Sequence, residues 1–225
     1  MSGSSVSCHL YGPQYQESTL ELLLSVFRAD EPLSRCLALT RDEAQPAYHF
    51  MTQALAHDPE RPMLSHVAVD EQSGQVVACQ LGHEQQRTGD TIERPSHLFH
   101  HKSILIRQFV LDLERAVDQH FPWTLYPQAT RLHHLLVICT HPDYRRRGLS
   151  QTLLTQAVQR STSLCLDLVT TAALARPAQQ LLESKLAFHT VHQTPIASYQ
   201  HNGHYVFHNI HYDNPVAKLM CKTLK

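Results

Sequence analysis

Residues 132–151, LHHLLVICTHPDYRRRGLSQ, constrain this chain more than any other stretch. An apolar run rich in Val, Ile and Leu (Leu135 to Thr140) meets a Pro-Asp turn, three arginines and a glycine. Leu149, Leu153, Leu154, Ala157 and Val158 then follow at helical spacing, so the segment predicts strand, turn, helix. The first N–H groups of a helix have no intrahelical partner, and beside fixed positive charge they bind phosphate. Gly148 lets the main chain approach an anion that a Cβ would hold off. The spacing Arg145-x-x-Gly148-x-Ser150 fits an Arg/Gln-x-x-Gly-x-Gly/Ala pyrophosphate signature except at its last position, where serine is still small. Taken alone, Arg-Arg-Arg-Gly reads equally well as a solvated basic turn. The strand before it and the helix after it favour the phosphate cradle. There is no Gly-x4-Gly-Lys-Ser/Thr loop and no dinucleotide fingerprint.

Around this junction the pattern alternates between helix and strand. A short edge strand is expected within residues 9–16. Leu20, Leu23, Leu24 and Phe27 mark an amphipathic helix from Glu17 that stops near Pro32, leaving Glu31 at a helix end. A second helix from Thr40 or Asp42 carries Ala47, Met51, Ala54 and Leu55, followed by a loop from His57 to Pro62. Val67 to Val69 and Gln75 to Leu81 flank Asp70-Glu71-Gln72-Ser73-Gly74 as a hairpin. Arg87 to Pro95 is polar, and Leu98 to Phe121 reads as one long helix ending before Pro122, with Trp123 to Thr130 as a connector. Leu164 to Val169 reads as a buried strand, and Pro177 as the first position of a helix carrying Leu181, Leu182 and Leu186. Strands His189 to Tyr199 and His204 to Tyr212 should close a hairpin through Asn202-Gly203. The order βααββαβαβαββ is a mixed α/β layout of one domain over residues 1–225, without repeats or an interior linker.

Composition excludes several functions. A net charge of −1 gives no general attraction to nucleic acid or anionic membrane, and three arginines in one turn make no nucleic-acid face. No apolar run reaches the roughly 20 residues that span a bilayer. The six cysteines form no Cys-x-x-Cys pair and Met1 to Leu10 shows no secretory pattern, so a reducing, cytoplasmic setting is expected. Eighteen histidines raise a metal hypothesis, but they are scattered or adjacent, without His-Glu-x-x-His; no metal site is expected.

The segment Leu132 to Gln151 resembles motif A of the GNAT superfamily of acyl-CoA-dependent N-acetyltransferases. Three further stretches are similar to the insect-type arylalkylamine N-acetyltransferases: Phe27-Arg28-Ala29-Asp30-Glu31-Pro32-Leu33, Leu182 to Phe188, and Tyr199 through Gly203 to Val206-Phe207 with Pro215 and Val216. The resemblance implies a mostly antiparallel mixed sheet with helices on both faces, and acetyl-CoA as co-substrate for a small amine acceptor. It implies Glu31 as general base, with Asp30 second. Ile138, Cys139 and Thr140 would anchor the pantetheine arm through their main chain. Arg145, Arg146, Arg147, Gly148, Leu149 and Ser150 would hold the pyrophosphate. A monomer that needs no metal is expected. The family's two motif B serines fall at Ala175 and Gln179 here, and Glu183 stands near the usual acid tyrosine. Tyr199, Tyr205, Ser184 or a histidine are left to protonate the leaving thiolate. An arylalkylamine acceptor is favoured. A polyamine, agmatine, amino acid or protein N-terminus is the near alternative, and a non-catalytic CoA-binding protein the distant one.

Overall fold

The computed structural model describes residues 5–57, 63–88, 96–211, 213 and 215–224. The expected loop at 58–62 and most of the polar segment, 89–95, lie outside them. Helix α1 (Gln16–Leu22) continues through a π-helical turn (Leu23–Phe27) into α2 (Arg28–Asp30), and α3 (Pro32–Cys36) and α4 (Arg41–Ala56) follow. Then come α5 (His101–Arg115), α6 (Leu149–Ser163) and α7 (Arg176–Leu186). The strands are β1 (Val6–Leu10), β2 (His66–Asp70), β3 (Val76–Gln86), β4 (Arg131–Thr140), β5 (Leu168–Ala173), β6 (His189–Pro195), β7 (Gln200–His201), β8 (His204–Tyr205) and β9 (Val216–Thr223).

Seven strands form one sheet in the order β1-β2-β3-β4-β5-β9-β6, with β4 and β5 its parallel pair and every other pairing antiparallel. Strands alternate their side chains between two faces, so each face gathers its own helices. On one face Leu23, Val67, Leu81 and Val137 pack with α1 and α4, and Leu33, Phe109 and Leu219 bring in α3 and α5. On the other, Leu153, Leu154, Val169, Leu182 and Met220 pack α6 and α7. Leu23, Leu33, Leu153 and Leu219 are fully buried, each contributing roughly 1.5–3 kcal/mol of transfer free energy.

Local signals set several boundaries. The Thr40 hydroxyl accepts from Glu43 N–H while Glu43 Oε2 accepts from Thr40 N–H, a capping box that starts α4 at Arg41. Asn202 (φ 51°) and Gly203 (φ 80°) make the expected turn, but its arms are only β7 and β8.

Other boundaries differ from expectation. The first strand is Val6–Leu10 rather than one within residues 9–16. The helix expected up to Phe121 ends at Arg115, because the Asp118 carboxylate captures His120 N–H and the Thr124 hydroxyl in a turn. The strand expected at Leu164 to Val169 is Leu168–Ala173: Leu164 closes α6, Cys165 sits at φ 57°, and Leu166 N–H returns to Ser161 O. Pro177 is the second residue of α7, after Arg176. The strand expected at His204 to Tyr212 is not the partner of β6. That partner is β9, inserted between β5 and β6.

Candidate active site

The parallel pair β4 and β5 stays in register from Leu132↔Leu168 only to Leu135↔Thr171. At this level the β3–β4 ladder slips, Leu81 pairing with Val137 and Gly82 with Leu135, so Leu136 is an extra residue on β4. A bulge bends its strand. Beyond it β4 leaves β5, and among the described residues the main chain of Leu136 to Thr140 has no strand partner on that side. A cleft of about 140 Å³ opens between the strands, lined by Ile138, Leu154, Ala173, Leu174 and Ala178 among others. Gly82 sits opposite the bulge because an added Cβ would lie 2.6 Å from His134 O and 2.4 Å from His133 Nε2.

At the end of the cleft β4 runs through a 3₁₀ turn (Pro142–Tyr144) into α6. The turn is anchored to the sheet: His141 N–H donates to Val77 O, and the Tyr144 hydroxyl to Asp70 Oδ2 at 2.6 Å. Arg146 (φ 62°) and Gly148 (φ 79°) both adopt left-handed conformations. Gly148 caps α6 without any side-chain acceptor, so the N–H groups of Leu149, Ser150 and Gln151 point out of the helix end without intrahelical partners. The Ser150 hydroxyl meets the Thr140 hydroxyl at 2.9 Å, tying strand to helix. The arginines diverge. Arg145 bonds Thr140 O and pairs with Asp30, while Arg147 bonds Asp143 O with its guanidinium over the Tyr144 ring at 4.7 Å. Cys139 faces away from the cleft, buried beside Cys79 in the core, and burial pushes its thiol up to about 12. Only its main chain can meet a ligand in the cleft.

Glu31 belongs both to the lining of this cleft and to that of a second cavity of about 520 Å³. The Asp30-Glu31-Pro32 corner explains its position. Pro32 starts α3, Glu31 is extended at φ −65° and ψ 125°, and its carboxylate accepts from Leu33 N–H at 2.9 Å and Ser34 N–H at 2.6 Å. The carboxylate is therefore the N-cap of α3 as well as a cavity wall. Burial raises its pKa above the ordinary 4.5, opposed by hydrogen bonds from the Ser34 side chain and the two N–H groups. The two capping N–H groups and the Ser34 side chain leave one of the carboxylate's roughly four acceptor sites open.

The larger cavity is walled by Phe27, Tyr48, Phe50, Phe99, Phe121 and Trp123, with Ile106 and Val110 from α5. Tyr48 was not singled out by the sequence. It shares the helical stripe of Met51 and Leu55, and a hydroxyl on an inward stripe is the signal that could have found it. The Ser34 hydroxyl interacts with both Glu31 and Tyr48, and burial pushes the Tyr48 hydroxyl pKa well up. His83 and His134 also line the cavity, and His134 Nδ1 lies 3.1 Å from the Thr170 hydroxyl.

The other expected donors lie elsewhere. Tyr199 donates to Asp112 at 2.7 Å, Tyr205 is exposed, and Ser184 donates to Gln180 O. Glu183 is bonded by Lys218 at 2.6 Å and by Thr190, which holds it below the usual carboxylate range. None of these four lines either cavity. Ala175 lines the cleft, and Gln179 Nε2 donates to Ala173 O and Val216 O, joining the ends of β5 and β9. Among the described residues no three His, Cys, Asp or Glu side chains converge to hold a metal, and no helix is long and apolar enough to cross a membrane.

A splayed parallel pair, a helix N-terminus at its end and an acid between two cavities are the features of the site that the family comparison accounts for. The chain belongs to the acetyltransferase (GNAT) family, whose model matches residues 31–188, and so to the acetyl-CoA-dependent N-acetyltransferases. Its fold is similar to that of arylalkylamine N-acetyltransferase 2 from Aedes aegypti, at TM-score 0.77 and 17% identity over 98% of this chain and 100% of that one. It is also similar to a Drosophila melanogaster polyamine N-acetyltransferase that forms N-acetylagmatine, at TM-score 0.72 and 16% identity over 97% and 100% of the two chains. A putative arylalkylamine N-acetyltransferase 7 from the yellow fever mosquito gives TM-score 0.80 at 14% identity over 98% and 88%. These likenesses are of fold. No curated protein sequence matches the chain.

Proposed function

We propose that this protein transfers the acetyl group of acetyl-CoA to the primary amine of a small arylalkylamine, by direct attack with both substrates bound. The observation that carries the reading is Glu31 at the wall shared by the narrow cleft and the aromatic-lined cavity. An alkylammonium has a pKa of about 10 and is no nucleophile until it loses its proton. Glu31, with its pKa raised by burial, takes that proton directly or through a water. The freed nitrogen attacks the thioester carbonyl, the C–N bond forms and the C–S bond breaks, and the second proton that the nitrogen sheds on becoming an amide replaces the one Tyr48 gives up. Tyr48 protonates the leaving thiolate; its raised pKa keeps the hydroxyl protonated through the neutral range, and Ser34 links it to the base.

In this reading the main chain of Ile138, Cys139 and Thr140, on the side turned away from β3, holds the pantetheine arm and polarises the carbonyl. The N–H groups of Gly148, Leu149 and Ser150 with Arg146 take the pyrophosphate, and Arg145 and Arg147 join by leaving their present partners. The open space where a Gly148 Cβ would point supports such a cradle. The aromatic walls favour an aryl group over a polyamine, whose second ammonium would have to be desolvated against them. The test is free thiol release from acetyl-CoA across phenethylamine, tyramine, tryptamine, agmatine and spermidine. Turnover confined to the aryl amines supports the reading, turnover of agmatine or spermidine alone moves the acceptor class, and thiol release with none, despite coenzyme A binding, removes the catalytic proposal.

A further inference from the structure

We infer that Ser103 and Arg107, on the α5 wall of the large cavity, form a carboxylate-recognition pair, so that the preferred acceptor is an aryl amine that also bears an acidic group. The inference rests on the acetyl-transfer reading for the amine but on independent atoms for the acid. Ser103 and Arg107 are one helical turn apart, so they present to the same side, and both line the cavity. Ser103 Oγ and Arg107 Nε are each shielded from solvent and have no hydrogen-bond partner. Arg87, the other arginine of the cavity, is spent differently: it donates to Pro127 O and Trp123 O at 2.8 Å and lies over the Trp123 ring. Among the described residues, Arg107 is thus the cavity guanidinium without a bonded acceptor.

A shielded guanidinium Nε–H and a shielded hydroxyl left without acceptors are unfavourable until a ligand supplies them. The planar fork of arginine matches a carboxylate with paired N–H···O bonds, and the serine hydroxyl adds another donor. A diamine would instead bring a second cation toward Arg107. Of the carboxylates of this cavity, Glu31 is engaged as the cap of α3, and Glu114, which faces His134 at 3.9 Å, lies two turns further along α5. At 1.5 Å per residue, seven residues separate Glu114 from Arg107 by roughly 10 Å along the helix axis. The cavity therefore offers an acidic region for the amine and a basic one for an acid.

Trp123 is the chain's single tryptophan and lines the cavity, so its fluorescence reports occupancy without catalysis. Para-ethylbenzoate and para-ethylphenol are titrated into the wild-type protein at neutral pH. The benzoate should bind at least about tenfold more tightly, and Arg107→Met should reduce that advantage to less than about twofold while leaving the phenol affinity unchanged. If Arg107→Met binds neither probe, Arg107→Lys and Ser103→Ala decide, each lowering the benzoate-to-phenol ratio severalfold. Equal affinities in the wild type, or an advantage that survives every variant, overturn the inference. Turnover separates it from the parent reading. Para-(aminoethyl)benzoate should exceed phenethylamine in kcat/KM by a margin that Arg107→Met abolishes. Turnover of phenethylamine without that margin sinks the carboxylate pair alone; benzoate binding without turnover of any amine sinks the acetyl-transfer reading alone.

Discussion

Arg145 Nη2 donates to Asp30 Oδ2, joining the loop that opens α6 to the residue beside Glu31. The pair is about half exposed on both sides, so as an ion pair it contributes less than about 1 kcal/mol to stability. Its consequence is for binding: Asp30 occupies an arginine that the proposed pyrophosphate site would use and adds a negative charge near an anion. Asp30→Asn should leave the melting temperature nearly unchanged and lower the KM for acetyl-CoA severalfold, measured at low ionic strength where the charge term is largest. An unchanged or higher KM would count against the competition.

Replacing Glu31 by Gln removes the proposed base while keeping one acceptor for the α3 cap. Turnover at neutral pH should fall about 10²- to 10⁴-fold with acetyl-CoA affinity within about twofold. Because burial raises the Glu31 pKa, the base is available only at higher pH than an ordinary carboxylate. The acid limb of kcat/KM should therefore lie above pH 4.5, and it should vanish in the variant. A wild-type profile flat down to that pH would exclude Glu31 as the titrating base.

Gly148 separates strain from crowding. A Cβ there meets nothing within 4 Å, but the residue sits at φ 79°. Gly148→Ala should cost about 1–2 kcal/mol of folding stability by left-handed strain alone. If a pyrophosphate occupies the open space, the KM for acetyl-CoA should also rise severalfold in the folded variant. A loss of stability with an unchanged KM would mean that nothing binds there.

Gly82 gives the opposite case, since a Cβ would press on the backbone oxygen of His134 and on the ring of buried His133. A carbonyl in the ladder cannot move without disturbing the bulge. Gly82→Ala should destabilise by at least about 2 kcal/mol in a denaturant titration, and the same variant should lose amine turnover. Wild-type stability would show that the bulge tolerates the shift.

Legibility followed the range of the interactions. The loop from His141 to Ser150 and the Asp30-Glu31-Pro32 corner were readable because turn residues, a proline and a glycine act within a few positions of themselves. The same local logic misled where a tertiary partner won. Leu164 to Leu166 read as a strand, yet their backbone N–H groups close α6 onto the carbonyls of Arg160, Thr162 and Ser161. Asn202-Gly203 makes its turn, but the long partner of β6 is β9, which carries no turn signal and buries Leu219 on one face and Met220 on the other. Glu183 stood near the expected acid position in sequence, while Lys218 and Thr190 draw it outward.

By itself the chain determined a strand-turn-helix with an arginine-flanked N-terminus, and a glutamate at a helix end just before a proline. Only the tertiary structure decided that Leu136 bulges out of register, that β4 and β5 part beyond Leu135, and that Tyr48, His134 and Arg107 face one cavity. The reason is physical: backbone geometry and capping are written into neighbours along the chain. Strand insertion and cavity walls depend on which apolar faces, dozens of residues apart, can be buried together.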